Sequence, residues 1–405
     1  MPIICNLRIE VYLLKSLSEH YHTLKIPRRP VLPLFSLYLF ALGYFVWSPK
    51  FQSYFIFAHF LNFPHRVELD KPEVFGLQAF SARHIDLKTP DNLKIGVWHI
   101  LSRHNLKRML PSLRAEASKG EHQHDSLFDN GIKKADLVLI YFHGQVGNRG
   151  KENRVLTYKA LQVALPTADI VTFDYRGFGD SDGFPTEEGV LIDSRAVFDW
   201  VVERVPANKV IIYGHSLGSG IATKLARQLT AEGVRPLALI LEAPFTSVGD
   251  MMTAYRKIPF MKPFLKYPKI LGFFRNSLAH PLNNSENIKN IHKIPLLILH
   301  AHKDMDIPVS FSHLLFEQYL ASHKSDDTVS ATTTVIEFER EGTLHIQKDL
   351  KAWYLRALHA QHNNVHHWEF VGEKLREFME EECGLKLNIN DDLHINMVNA
   401  IKQPE

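Results

Sequence analysis

The residues with the clearest chemical potential are Gly214–Gly218, which read G-H-S-L-G. The apolar run KVIIY precedes them and the helix-like SGIATKLA follows. A Gly-x-Ser-x-Gly sequence at a strand-to-helix turn holds its serine on a strained corner with the hydroxyl exposed. Ser216 is therefore the candidate nucleophile for acyl transfer. The glycines let neighbouring backbone pass close by, and the N-terminus of the following helix favours developing negative charge. Acyl transfer also needs donors for the tetrahedral oxyanion, each contributing on the order of 3 kcal/mol. One is the amide after the nucleophile, that of Leu217. The second comes from a loop after an earlier strand, and H-G-Q-V-G at 143–147 places it at Gln145.

A serine nucleophile needs an imidazole base and an acid to orient it, with acid and histidine following the serine in chain order. LLILHAHKDMDIP ends an apolar run and offers Asp304 and Asp306, between which spacing alone does not choose. The histidine must follow the last strand, where His345, His359, His362, His366 and His367 all stand. The last four have spacings that suit metal ligands on a helix, but no H-E-x-x-H or nearby carboxylate pair accompanies them. No metal or other cofactor is expected.

These side chains need a frame. Short apolar runs recur at 94–100, 137–143, 169–175, 209–215, 237–243, 296–302 and 334–338. Being nearly continuous, they suit strands of a parallel sheet buried on both faces. Helical patterns lie between them, among them Val190, Leu191, Val197, Trp200 and Val201, the run 221–230, and the final stretch 368–381. The alternation predicts a mostly parallel, doubly wound α/β domain. Residues 104–135 are polar and read as a surface loop. The proline- and aromatic-rich segment 250–290 reads as a small cap. TVIEF (334–338) reads as the last strand, and KDLKAWYLRAL, which follows His345, as helix-like.

The chain has 405 residues, enough for one large domain with extensions. Its 47 basic and 44 acidic residues leave a net charge of +3 with no long basic tract, which argues against a nucleic-acid partner. Two cysteines near opposite ends, Cys5 and Cys383, exclude a disulfide framework and a cysteine-based metal centre. From Pro30 to Pro49 there is no charge, and about 20 apolar residues suffice to cross a bilayer. Lys25, Arg28 and Arg29 flank this run on its N-terminal side, which predicts a cytosolic N-terminus and a lumenal or extracellular remainder. The uncharged aromatic stretch 51–64 fits either the membrane interface or a helix packed on the catalytic domain. The expected organisation is a cytosolic segment (1–29), a transmembrane helix (30–49), a juxtamembrane segment (50–90), a catalytic domain (91–385) and a tail (386–405). On a lumenal side, Asn283 in N-N-S (283–285) is a glycosylation acceptor.

With these residues assembled, the chain resembles the α/β-hydrolase-domain lipases from about residue 30 to 381. IGVWHI, HGQVGNRG, VTFDYRGFGDSDGFPTEEG, YGHSLGSGIAT, LILEAPFT and PLLILHAHKDMDIP carry the likeness. It implies an α/β-hydrolase fold and selects Asp304, four residues before Pro308, as the acid. The family spacing from the R-E-F motif at Arg376 selects His362, fourteen residues earlier. His362 also sits in a polar turn just before the final amphipathic helix, whereas His345 is followed by a stretch that would have to leave the site and return. Gln145 stands where the family commonly has asparagine, Asp306 where it has an apolar residue, and residues 340–358 resemble an insertion between the last strand and the histidine. The resemblance implies an endoplasmic-reticulum membrane lipase that splits lysophosphatidylserine and monoacylglycerols, with lipid and membrane as its partners and its oligomeric state open. A depalmitoylating thioesterase, a peptidase or an inactive tethered relative are the rival readings.

Overall fold

The computed structural model describes residues 31–65, 68–119, 125–254, 266–323 and 332–387. The chain divides into two compact units, Met1–Phe51 and Gln52–Glu405. In the first, the charge-free run folds as the helix Val31–Trp47. Among the described residues no helix is long and apolar enough to cross a membrane. The basic flank at Lys25, Arg28 and Arg29, the C-terminal tail from residue 388 and residues 255–265 of the cap lie outside the described residues.

The second unit is built on ten strands: β1 (Ala82–Lys88), β2 (Lys94–Ile100), β3 (Leu137–Phe142), β4 (Ala168–Phe173), β5 (Val210–His215), β6 (Ala238–Glu242), β7 (Leu296–Ala301), β8 (Thr334–Phe338), β9 (Gly342–Gln347) and β10 (Ala352–Ala357). They form one sheet in the order β1-β2-β4-β3-β5-β6-β7-β10-β9-β8. The six strands from β4 to β10 in that order run parallel, and antiparallel strands finish both sides. Every residue of β3, β4, β5 and β7 is buried, as continuous apolar runs require when both faces are covered. Leu137, Leu139 and Tyr141 of β3 share a core with Tyr158 and Leu161 of the helix Glu152–Ala164 and with Phe378 of the helix Glu369–Glu381. The alternate residues Val138, Ile140 and Phe142 are as deeply buried and point to the other face.

Four expectations are corrected. Residues 104–135 are not an irregular loop: they contain the helices Arg103–Ser118 and Asp125–Lys133. The Ser102 side chain caps the first, and Met109, Leu113 and Phe128 gather with Leu101 in a small satellite core. Few apolar residues suffice there, which is why the stretch reads as polar. The helix-like KDLKAWYLRAL is instead β10, parallel to β7, and TVIEF is not the last strand but the solvent-exposed edge β8. Apolar residues at Trp353, Tyr354 and Leu355 mimic a helical stripe. Trp353 and Leu355 in fact pack into the core, and the Trp353 indole donates to Glu382. The supposed insertion is therefore the hairpin β9–β10, part of the sheet itself.

Because β3, β5, β7 and β10 are parallel, their carboxyl ends share one edge of the sheet. Four loops leave from that edge, after Phe142, His215, Ala301 and Ala357. Open α/β sheets carry their sites at such an edge.

Candidate active site

Ser216 lies between β5 and the helix Leu217–Ala231 with φ +53° and ψ −120°. A non-glycine residue at positive φ is strained and must be held by its surroundings. The Ser216 amide donates to the Glu242 carbonyl at 2.9 Å. The flanking glycines are required sterically. A Cβ on Gly218 would sit 2.1 Å from the Phe142 carbonyl oxygen, and one on Gly214 2.6 Å from the Gly218 oxygen.

His362 follows β10 by five residues. Its Nε2 is 3.1 Å from Ser216 Oγ, and its Nδ1 is 2.7 Å from Asp304 Oδ2. A carboxylate accepts only, so Nδ1 carries the proton and Nε2 presents a lone pair to the serine. The Asp304 side chain is fully buried in the turn after β7. Its other oxygen accepts the amides of Asp306 and Ile307, each at 2.8 Å. Burial pushes the Asp304 carboxyl up, but hydrogen bonds and charge from His300 and His362 outweigh it and hold the group well below the usual carboxylate range.

The other candidates lie elsewhere. Asp306 contributes its backbone amide to Asp304. His345 is in β9, stacked on Tyr354. His359 pairs with Lys303, and His366 binds Thr157 and Glu242. His367 packs edge-on against His366. Among the described residues, no group of three or more histidine, cysteine or acidic side chains is arranged to hold a metal.

The loop after β3 lies against Ser216. A Cβ on Gly144 would come 3.3 Å from Ser216 Cβ and 3.2 Å from His215 Nδ1. Leu217 is the first residue of its helix, so its amide has no carbonyl partner within that helix. The Gln145 side chain turns away and donates to the carbonyls of Phe55 and Ile56 at 2.7 and 2.8 Å. The amides of Gly147 and Asn148 donate to Leu61 and Phe63 at 2.8 and 2.9 Å. Residues 52–64 therefore run along this loop, and Ser53 also meets His280 at 2.9 Å. Packing on the domain, one of the two readings of this stretch, describes these residues. Asn283 caps the short helix Asn284–Ile288, its side-chain oxygen accepting the Glu286 amide at 3.2 Å.

Several residues around the site had no part in the sequence reading. His215 lies within the G-H-S-L-G motif, and its Nε2 is 3.0 Å from the His362 carbonyl. Burial pushes its pKa down to about 4, so the ring is neutral near pH 7 and donates. Beneath it, Glu242 accepts from the Tyr213 hydroxyl at 2.6 Å and from His366 at 3.1 Å. Burial pushes Glu242 up, yet these neighbours and His215 hold it at about 2. His300, buried, reaches Asp304 at 3.3 Å. Of these only His215 had a signal in the sequence, its place beside Ser216 in the G-H-S-L-G motif; the others are gathered by the sheet.

The sequence pattern of the alpha/beta hydrolase fold matches residues 138–262. The mouse lysophosphatidylserine lipase ABHD12 is 35% identical over 271 residues, 66% of this chain, and the chain spans 63% of that protein's length. The chicken protein of the same name is 34% identical over 293 residues, 71% of this chain and 72% of its own. Among solved structures, an alpha-beta hydrolase from Vibrio vulnificus superposes with a TM-score of 0.55 at 15% identity, covering 82% of this chain and 92% of its own.

Proposed function

The chain belongs to the α/β-hydrolase fold family, within the group of the ABHD12 proteins, and from that premise we propose that it is a membrane-anchored serine hydrolase that cleaves the acyl ester of single-chain lipids. The observation that carries this reading is the continuous line Ser216–His362–Asp304, with contacts of 3.1 and 2.7 Å. The name of the mouse relative supports lysophosphatidylserine as substrate, and the sequence resemblance adds monoacylglycerols.

The chemistry follows from the distances. His362 Nε2 takes the hydroxyl proton as Ser216 Oγ attacks the ester carbonyl. The carbonyl electrons move to its oxygen, which the Leu217 and Gln145 amides receive. The tetrahedral species collapses, the imidazolium gives its proton to the leaving alcohol, and an acyl-serine remains. Water, deprotonated by the same imidazole, releases the fatty acid and restores the serine. Asp304 fixes the tautomer and stabilises the imidazolium throughout.

The charge-free run from Pro30 to Pro49 with its basic flank supports an anchor that keeps the N-terminus cytosolic and the hydrolase lumenal, in the endoplasmic reticulum by the resemblance. Exposed Phe55, Phe60 and Phe63 suit contact with headgroups. The deciding experiment incubates membranes bearing the wild type or Ser216→Ala with lysophosphatidylserine and monoacylglycerol. Release of fatty acid from the wild type alone, with fluorophosphonate labelling lost in the variant, supports the reading; equal release from both rejects it. Protease protection in sealed microsomes tests the topology: digestion of the hydrolase unit from the cytosolic side reverses it, and a glycan lost in Asn283→Gln supports it.

A further inference from the structure

Arg154 lies in the first turn of the helix Glu152–Ala164 and is only 3% exposed. Its Nη2 reaches three consecutive main-chain carbonyls of the loop after β3: Gly144 at 2.7 Å, Gln145 at 3.3 Å and Val146 at 2.7 Å. Its Nη1 is buried and, among the described residues, has no hydrogen-bond partner. A buried guanidinium is ordinarily matched by a carboxylate, because an unpaired charge is costly to desolvate. Here backbone oxygens take that place.

The peptide unit is planar and trans, so the carbonyl of one residue and the N–H of the next point in opposite directions. A Gly144 carbonyl aimed at Arg154 therefore fixes the Gln145 amide pointing away from it. By the same rule, the Val146 carbonyl turns the Gly147 amide outward, and that amide is found on Leu61. The backbone is strained at Val146, with φ +65°, and Gly147 supplies the next positive φ, +79°, without a Cβ to oppose it. The Gly144 peptide also abuts the serine: a Cβ on Gly144 would come 3.3 Å from Ser216 Cβ and 3.2 Å from His215 Nδ1. A donor bonded to a carbonyl also polarises its peptide unit and strengthens the N–H at the other end. The guanidinium further contributes a full positive charge where little solvent screens it.

We propose that Arg154 is the positioning residue of the oxyanion hole: it sets the direction of the Gln145 amide, strengthens it as a donor, and adds a fixed positive charge behind it. This rests on the reading of Ser216 as nucleophile. The effect belongs to the transition state, where the oxygen carries charge, and much less to the neutral ester.

The experiment compares wild type, Arg154→Met and Arg154→Lys in full-length, membrane-extracted protein. It measures kcat and KM on a soluble ester, the Ki of a trifluoromethyl ketone that forms a hemiketal oxyanion, the melting temperature, and mass-spectrometric identification of the fluorophosphonate-labelled residue. Arg154→Met is expected to lower kcat roughly 10–100-fold with KM within about threefold, and to raise Ki by the same factor as kcat falls. Arg154→Lys, which keeps the charge but not the fork, recovers part of both. Label absent from Ser216 in the wild type overturns the nucleophile reading and this proposal with it. Label present in both proteins, with kcat and Ki unchanged in folded Arg154→Met, overturns this proposal alone. Should Arg154→Met not fold, Arg154→Lys decides: wild-type kcat and Ki together reject the role, and a parallel loss of both supports it.

Discussion

The Nε2–H of His215 donates to the main-chain carbonyl of His362 across 3.0 Å. The residue before Ser216 thus holds the loop that carries His362. The two rings lie 5.1 Å apart, and the neutral state of His215, forced by burial, makes it a donor here. Two strands that are not neighbours, β5 and β10, are thereby tied at their ends.

This tie predicts a kinetic effect without a change in chemistry. His215→Phe removes the donor and leaves the His362 carbonyl unpartnered, so the base drifts relative to Ser216. Small misplacements of catalytic groups are expensive in rate. We expect kcat to fall roughly tenfold with KM little changed, and His215→Gln to keep more of the activity because its amide still donates. Steady-state kinetics on a soluble ester at pH 7.5 decide it; a His215→Phe enzyme at wild-type kcat rejects the tie.

The histidine assignment is the second prediction. His362→Ala should remove at least about 1,000-fold of kcat, since members of a triad act as a unit. His345→Ala should retain most of it, because His345 lies in β9 with its ring stacked on Tyr354. Both variants are compared on one ester, with circular dichroism as the folding control. An inactive but folded His345→Ala, or an active His362→Ala, reverses the assignment.

The reach of the sequence can be traced through these residues. The parallel strands were legible because burial on both faces writes an unbroken apolar run, as in LVLIYF and LLILHA. Gly214 and Gly218 were legible because backbone approaches of 2.6 and 2.1 Å leave no room for a Cβ. β10 was misread because its apolar residues fit a helical face as well as a doubly buried strand, and periodicity cannot separate the two over six residues. That error made His362 look remote from the last strand, when it follows β10 by five residues. Arg154, His300 and Glu242 were invisible for another reason. Their partners are main-chain carbonyls and side chains brought together by the sheet, and no local pattern records such a meeting.

Gln145 gives the third prediction. Its amide side chain holds the carbonyls of Phe55 and Ile56, which end the helix Pro49–Phe57 and lack partners within it. Asparagine is one methylene shorter and cannot span the same gap. Gln145→Asn should therefore loosen residues 55–63 from the loop while leaving the backbone amide in the chain. Amide hydrogen exchange at Gly147 and Asn148 should accelerate, with kcat lower by about three- to tenfold. Unchanged exchange at those two amides would show that the side chain does not anchor the segment.

The last prediction concerns acid. His143 and His215 are buried, and desolvation lowers both to about 4 from an ordinary value of 6.5. In the unfolded chain they regain that ordinary value, so between pH 6.5 and 4 the unfolded state binds more protons than the folded one. Stability must fall as pH drops through that window, and below 4 these two groups add no further change. Glu242 then takes over. Its folded value of about 2 lies under the ordinary 4.5, so its contribution is intact above pH 4.5 and is lost as pH falls towards 2. The melting temperature should thus be level above about pH 7, decline by several degrees down to pH 4, and continue to decline below it. His215→Gln cannot titrate, so its melting curve should be shallower between pH 6.5 and 4 whatever its absolute stability. A wild-type melting temperature that holds level down to pH 4.5, or a His215→Gln slope equal to the wild type's, contradicts the assignment of neutral buried imidazoles beside Ser216.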